Sequence, residues 1–387
     1  MSRRAAIRIA HSCLSDPQRA VEELALGLLQ ADDTVLVIFF CSTSYDRTLL
    51  ASEIRRRFQG IQVIGCTTSG EIGDAGLTQQ SLVAVGFSTP DFIAAGALIS
   101  NLQQFRIADG HTVANELLHG LQDKITHLNA ENCFGFLLVD GLSVREEQVT
   151  HAIQGLLGNI AMIGGSAADD LQFHKTYVYF DGDFHTDSAV LLLMHTLLPF
   201  KIFKAQHFVP TAERLVVTHA DARRRIVHEI NGLPAAPEYA RLIGVSVEAL
   251  KPAHFAAAPV VVAIDGSFYV RAIRSANDDQ SLTFYCAIEE GLVLRVARGV
   301  DPIESLQQAF AEVRAEIGQP QVVIAYDCIL RKLELIQRGL AAQAEQILGN
   351  NNVIGFNTYG EQFRGVHVNQ TFAAVAIGAV DGCDGDD

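Results

Sequence analysis

The chain has 387 residues, too many for one ordinary domain, and 49% are apolar against 19% charged, so a large core can be buried. A formal charge of −15 excludes nucleic acid as a partner, and the basic runs 55–57 and 223–225 read as solvated faces rather than docking patches. No apolar signal core opens the chain, residues 189–200 fall short of the roughly 20 a membrane span needs, and seven cysteines lie scattered without a CxxC pair, so the expectation is a cytoplasmic globular protein.

Short runs rich in Val, Ile and Phe alternate with amphipathic stretches, the pattern of α/β architecture. A strand at 7–10 leads to Asp16 and Pro17, an N-cap and first-turn proline that open a helix reaching Leu29. A strand at 35–40, a helix at 47–58 and a strand at 62–65 follow, closed by the turn VIGCTTSGEI. The same block returns near the C-terminus, where VVIAYDC leads through a helix to VIGFNTYGEQ at 322–362, and more weakly at 134–170, as FGFLLVD and MIGGSAADD. Each copy is followed by strand-like runs, at 82–87, at 177–180 with 190–194, and at 372–377. The reading is a β-α-β unit used three times, with Cys41, Asp140 and Cys328 ending the first strands and glycines ending the second. Ligands of open α/β sheets bind at that carboxyl edge.

Between 199 and 229 short alternating runs look like consecutive antiparallel strands, with His207 inside one of them. A helix is expected at 236–242, more strands at 260–296, and another helix opened by Asp301 and Pro302. The fold class is therefore α/β in two domains. Residues 1–200 form β-α-β layers with a mixed sheet, and 201–387 an α+β sheet domain carrying a related β-α-β unit. The tail from 381 to 387 reads as disordered.

Phosphate loops, dinucleotide fingerprints, zinc-protease and deaminase patterns and the G-x-S-x-G elbow are all missing. His111, His119 and His127 recur on one expected helix but drift around it, so they make no metal site. Cys328 is followed by Arg331 on the opening turn of a helix. A thiol there could be activated, although packing is the simpler role, and Arg331 could receive an anionic group. Glu71 and Glu361 follow matched glycine turns, where each either binds a ligand or caps backbone amides. His207, flanked by Phe203 and Phe208, is a neutral imidazole of the kind a proximal haem ligand requires.

Taken together, VIGCTTSGEI, GGSAADD and TYVYFDGDFHTDSAVLLLM resemble the N-terminal half of FIST proteins. RLIG, YDCILRKLELI and VIGFNTYGEQFRGVHVNQTFAAVAIG are similar to the C-terminal half. The resemblance implies a bacterial sensory module that binds a small ligand and is not an enzyme. It further implies haem-based nitric oxide sensing through His207 as iron ligand, acting in trans on a histidine kinase or a diguanylate cyclase or phosphodiesterase, with a homodimer as one arrangement. Two alternatives stand beside it. One is a haem-free pocket for an amino acid or similar anion around Cys328, Arg331, Tyr359 and Glu361. The other is a hydrolase or transferase using Cys328 or Asp140.

Overall fold

A computed structural model describes residues 5–30, 33–264 and 266–379; the tail expected to be disordered lies outside them. The expected local signals at Asp16 and Asp301 act as read, and Asp46 adds a third. Each sits before a helix (Pro17–Leu28, Pro302–Ile317 and Arg47–Arg57 respectively) and accepts a first-turn amide, Arg19 N at 2.8 Å, Ile303 N at 2.8 Å and Leu49 N at 2.9 Å.

The β-α-β unit does occur three times, and more fully than the sequence pattern suggested. In each unit a parallel pair forms the centre of a sheet: Thr34–Cys41 with Gln62–Thr67, Cys133–Val139 with Met162–Ser166, and Val322–Cys328 with Val353–Thr358. A closing strand lies antiparallel to the first member of each pair, Leu82–Ser88, Ser188–Thr196 and Phe372–Ile377 respectively. Beyond each closing strand lies the strand that opens the unit, Ile7–Ser12, Phe92–Ser100 and Phe200–Ala205. The run at 200–205 was expected to pair with the antiparallel strands after it; instead it belongs to the third unit's sheet.

The units are stitched together by exchange. Each sends the hairpin after its second strand onto a neighbour's sheet. Glu71–Gly73 pairs with Val353–Thr358, Val178–Phe180 with Gln62–Thr67, and Glu361–Phe363 with Met162–Ser166. The first unit thus lends to the third, the third to the second and the second to the first. The inner faces meet in one core, where the rings of Phe40, Tyr326 and Phe356 stand 4.7–6.3 Å apart.

The antiparallel portion is an insertion into the third unit, between its opening strand and its first helix. It begins with Phe208–Asp221 and ends with Val293–Gly299, and these two strands pair with each other. Two local expectations are corrected. His207 lies in the irregular step between Phe200–Ala205 and Phe208–Asp221, because the chain there leaves one sheet for another. The helix Ile107–Gln122 carries His111 and His119 and ends before His127.

Candidate functional site

The carboxyl edge of the third unit forms a cleft of about 450 Å³. Its floor is the strand-to-helix junction from Val322–Cys328 into the helix Ile329–Gln337. Its walls are that helix, the helix Ala341–Gly349 and the hairpin lent by the first unit. Glu345 fixes the hairpin by accepting from Leu77 N at 3.0 Å. Leu306, Leu335, Ala344 and Leu348 make the lining largely apolar.

Four polar side chains stand on the floor, all at least nine-tenths buried: Asp327, Arg331, Lys332 and Asn357. Their hydrogen bonding is incomplete. Asp327 Oδ1, Arg331 Nε and Asn357 Oδ1 are buried without a hydrogen-bond partner, and the Arg331–Asp327 pair is held at 3.7 Å, beyond hydrogen-bond length. Lys332 Nζ donates to Ser69 O at 2.9 Å. Burial raises the Asp327 carboxyl above its usual range, opposed by the charges of Arg331 and Lys332, and burial lowers the Lys332 ammonium. Unpartnered buried polar atoms are costly, so a cluster of them on a cleft floor marks a place where a ligand would supply the missing partners.

The residues expected at this edge separate. Arg331 lines the cleft just described. Tyr359 lies on the other side of the helix start, in a second cleft, where its hydroxyl donates to Asp169. Cys328 and Glu361 are buried between the two. Glu361 accepts from Thr358 Oγ1 at 2.7 Å and Thr371 N at 3.3 Å. Glu71 does the same in the first unit, taking Thr68 Oγ1, Ser81 N and Ser81 Oγ. Of the two roles open to these glutamates, the geometry shows the capping one.

The middle unit has Val178 where the others have glutamate, and its carboxylate comes from the first strand's end. Asp140 accepts from the Thr176 hydroxyl and from Leu142 N at 3.1 Å. Burial, reinforced by Glu361, pushes the Cys328 thiol well above the usual range. This setting works against the activated thiol considered from sequence. Alkylation of the native protein near neutral pH is expected to modify exposed Cys13 and spare Cys328; peptide mapping that found Cys328 labelled at a comparable rate would contradict the assignment.

His207 does not fit a haem in this arrangement. Its ring packs on Phe208, and its Nε2 lies 2.8 Å from Glu334 Oε2. It lines neither cleft. A proximal ligand needs that nitrogen on an open apolar face. Among the described residues no group of three or more His, Cys, Asp or Glu could hold a metal ion, and no helix is long and apolar enough to cross a membrane.

Asp327, Lys332 and Asn357 were not singled out from sequence. The available signal was a charged residue inside the apolar run VVIAYDC and a second cation directly after Arg331.

Comparison with known families places these units. A FIST N domain matches residues 35–233 and a FIST C domain residues 235–364. The chain belongs to the FIST family. FIST domains are small-ligand sensory domains. The boundary between the two matches falls inside the inserted antiparallel sheet, so the FIST C match includes part of that insertion with most of the third unit. An uncharacterized protein of Methanocaldococcus jannaschii is 24% identical over 217 residues, covering 54% of this chain, which spans 40% of that protein's length. A solved cyanuric acid hydrolase aligns over 96% of this chain and 99% of its own at 11% identity and a TM-score of 0.36, too remote to bear on fold or chemistry.

Proposed function

We propose that this FIST protein senses a small zwitterion with an apolar side chain, an amino acid or a close analogue, in the cleft at the carboxyl edge of the third unit. The observation that carries the reading is the floor: two cations, one carboxylate and one amide, three of them with an unpartnered buried atom. Arg331 and Lys332 suit a carboxylate, Asp327 suits an ammonium group, and the leucine-lined walls suit an aliphatic side chain. Turnover is not part of the reading, because Cys328 is buried with its thiol pKa raised and Asp140 is committed to internal hydrogen bonds. Output through a partner histidine kinase or cyclic-di-GMP enzyme belongs to the same proposal and rests on the resemblance.

Thermal-shift screening of the free L-amino acids tests it. A true ligand at a hundred times its Kd adds about 2.7 kcal/mol by mass action. Lys332→Met and Arg331→Met are expected to abolish the response of the active compound. Lys332→Met should also cost the unliganded protein about 1–3 kcal/mol, since it leaves Ser69 O without its donor and Asp327 without one of its two cations. If no amino acid raises the melting temperature, or if one does so equally in both variants, the site is wrong.

A further inference from the structure

The second cleft, of about 270 Å³, lies between the middle unit and the inserted sheet, and Ile329 and Leu330 separate it from the zwitterion site. Three observations meet there. The first is a ring platform: Phe173 and Tyr359 are stacked at 4.8 Å and 18°, with the Arg274 guanidinium 5.8 Å from the Phe173 ring centre. The second is charge. Arg225 is committed to Glu146 at 2.7 Å and Glu147 at 2.8 Å, whereas Arg223, Arg224 and Arg274 are exposed and have no carboxylate partner among the described residues. On a chain of net charge −15 this is a local excess of cations. The basic run at 223–225 is thus only partly the solvated face its sequence suggested, since its last member is tucked under the middle unit.

The third observation is strain. Val144, Leu171 and Phe173 carry φ of +57°, +62° and +52°, backbone that residues with a Cβ rarely adopt and a β-branched one hardly ever. All three are more than a third exposed and line the cleft. Asp169 holds the loop in this state. It accepts from Phe173 N at 3.0 Å, His174 N at 2.7 Å and Lys175 N at 2.9 Å as well as from the Tyr359 hydroxyl, and so sets Phe173 against Tyr359. Apolar side chains held out to solvent by a strained, anchored loop, beside unpaired arginines, make a surface prepared for an occupant.

We infer that this cleft binds a planar aromatic anion. Its ring lies against the Phe173–Tyr359 pair and its carboxylate or phosphate is held by Arg274 with Arg223 or Arg224. The site goes beyond the zwitterion reading and shares none of its ligating residues.

Calorimetry with indole-3-acetate, benzoate and adenosine 5′-monophosphate tests it, with acetate, inorganic phosphate and benzyl alcohol as controls. At least one aromatic anion should bind, more tightly than every control. Preference for the acids or for the nucleotide identifies the source of the anion. Arg274→Gln and Phe173→Leu, both at exposed positions where folding is retained, should each weaken it about five- to tenfold, while Lys332→Met leaves it unchanged. The inference is overturned if no aromatic anion binds at millimolar concentration, or if acetate or phosphate binds equally well. Unaltered affinity in both Arg274→Gln and Phe173→Leu overturns it as well. Loss of amino-acid binding in Lys332→Met with aromatic-anion binding intact would separate the two sites.

Discussion

Gly164→Ala and Gly355→Ala are each expected to destabilise the protein by about 3 kcal/mol or more, near the upper end of single-residue effects. The repeated glycine of the second strand lies opposite the first strand in every unit, Gly65 beside Phe39, Gly164 beside Leu137 and Gly355 beside Ala325. A Cβ at Gly164 would land on Leu137 O, and one at Gly355 on Ala325 O, backbone atoms that cannot swing aside. At Gly65 the nearest atom, Phe39 O, would lie 2.5 Å away, so the same change there should cost somewhat less. None of the three has a positive φ, so close backbone approach and not turn conformation explains the glycine. Gly120 supplies the contrast. It is exposed on the helix Ile107–Gln122 with nothing within 4 Å of a built Cβ, and Gly120→Ala should stabilise by about 1 kcal/mol. Denaturant midpoints compared across the four variants decide the matter. Parental stability in Gly164→Ala would show that the strands can part at no cost.

Those glycines illustrate what the sequence could carry. The local grammar was legible, because N-cap aspartates, first-turn prolines and apolar runs act within a few residues of themselves. The hairpin exchange was not. Val178–Phe180 has the same alternation whether it pairs with its own unit's Met162–Ser166 or with Gln62–Thr67, and only packing of all three units chooses. The same holds for Phe200–Ala205, whose pattern suits either the inserted sheet or the distant Phe372–Ile377 that it joins.

The site was legible in part for related reasons. Arg331 stands out because it follows a buried strand, yet Asp327 and Lys332 acquire their meaning only when a hairpin from some 250 residues earlier covers them, with Lys332 reaching Ser69 O. Tyr359 and Arg331 are close in the fold but leave the junction on opposite sides, so one expected pocket became two. The carboxylate of the middle unit moved from the hairpin to Asp140, a substitution visible only once the three networks are compared in space.

His367→Gln is expected to flatten the acid limb of the stability profile. His367 is buried beneath the inserted sheet; its backbone carbonyl accepts from Arg271 at 2.7 Å and its Nδ1 lies 3.2 Å from the Gln362 amide. Burial depresses the imidazole from 6.5 to about 4, with Glu147 opposing the shift and Arg225 and Arg271 adding to it. The unfolded chain therefore binds a proton between those values that the native state refuses. The contribution of a neutral His367 is fully present above pH 6.5 and is lost as the pH falls toward about 4. At 1.36 kcal/mol per pH unit it amounts to roughly 3 kcal/mol. Glu71 runs the other way, because burial lifts it from 4.5 to about 7, so its contribution is complete below 4.5 and fades as the pH rises through 7. The parent's own profile mixes both slopes. The difference between parent and His367→Gln isolates the histidine, since Glu71 is common to both. Glutamine keeps an acceptor for the Gln362 amide but cannot be protonated. Denaturant midpoints measured from pH 7 down to 4.5 should therefore converge, the parent losing stability relative to the variant as the acid limb is entered. Parallel profiles over that range would mean that the imidazole titrates alike in the folded and unfolded chain, and the burial argument would fail.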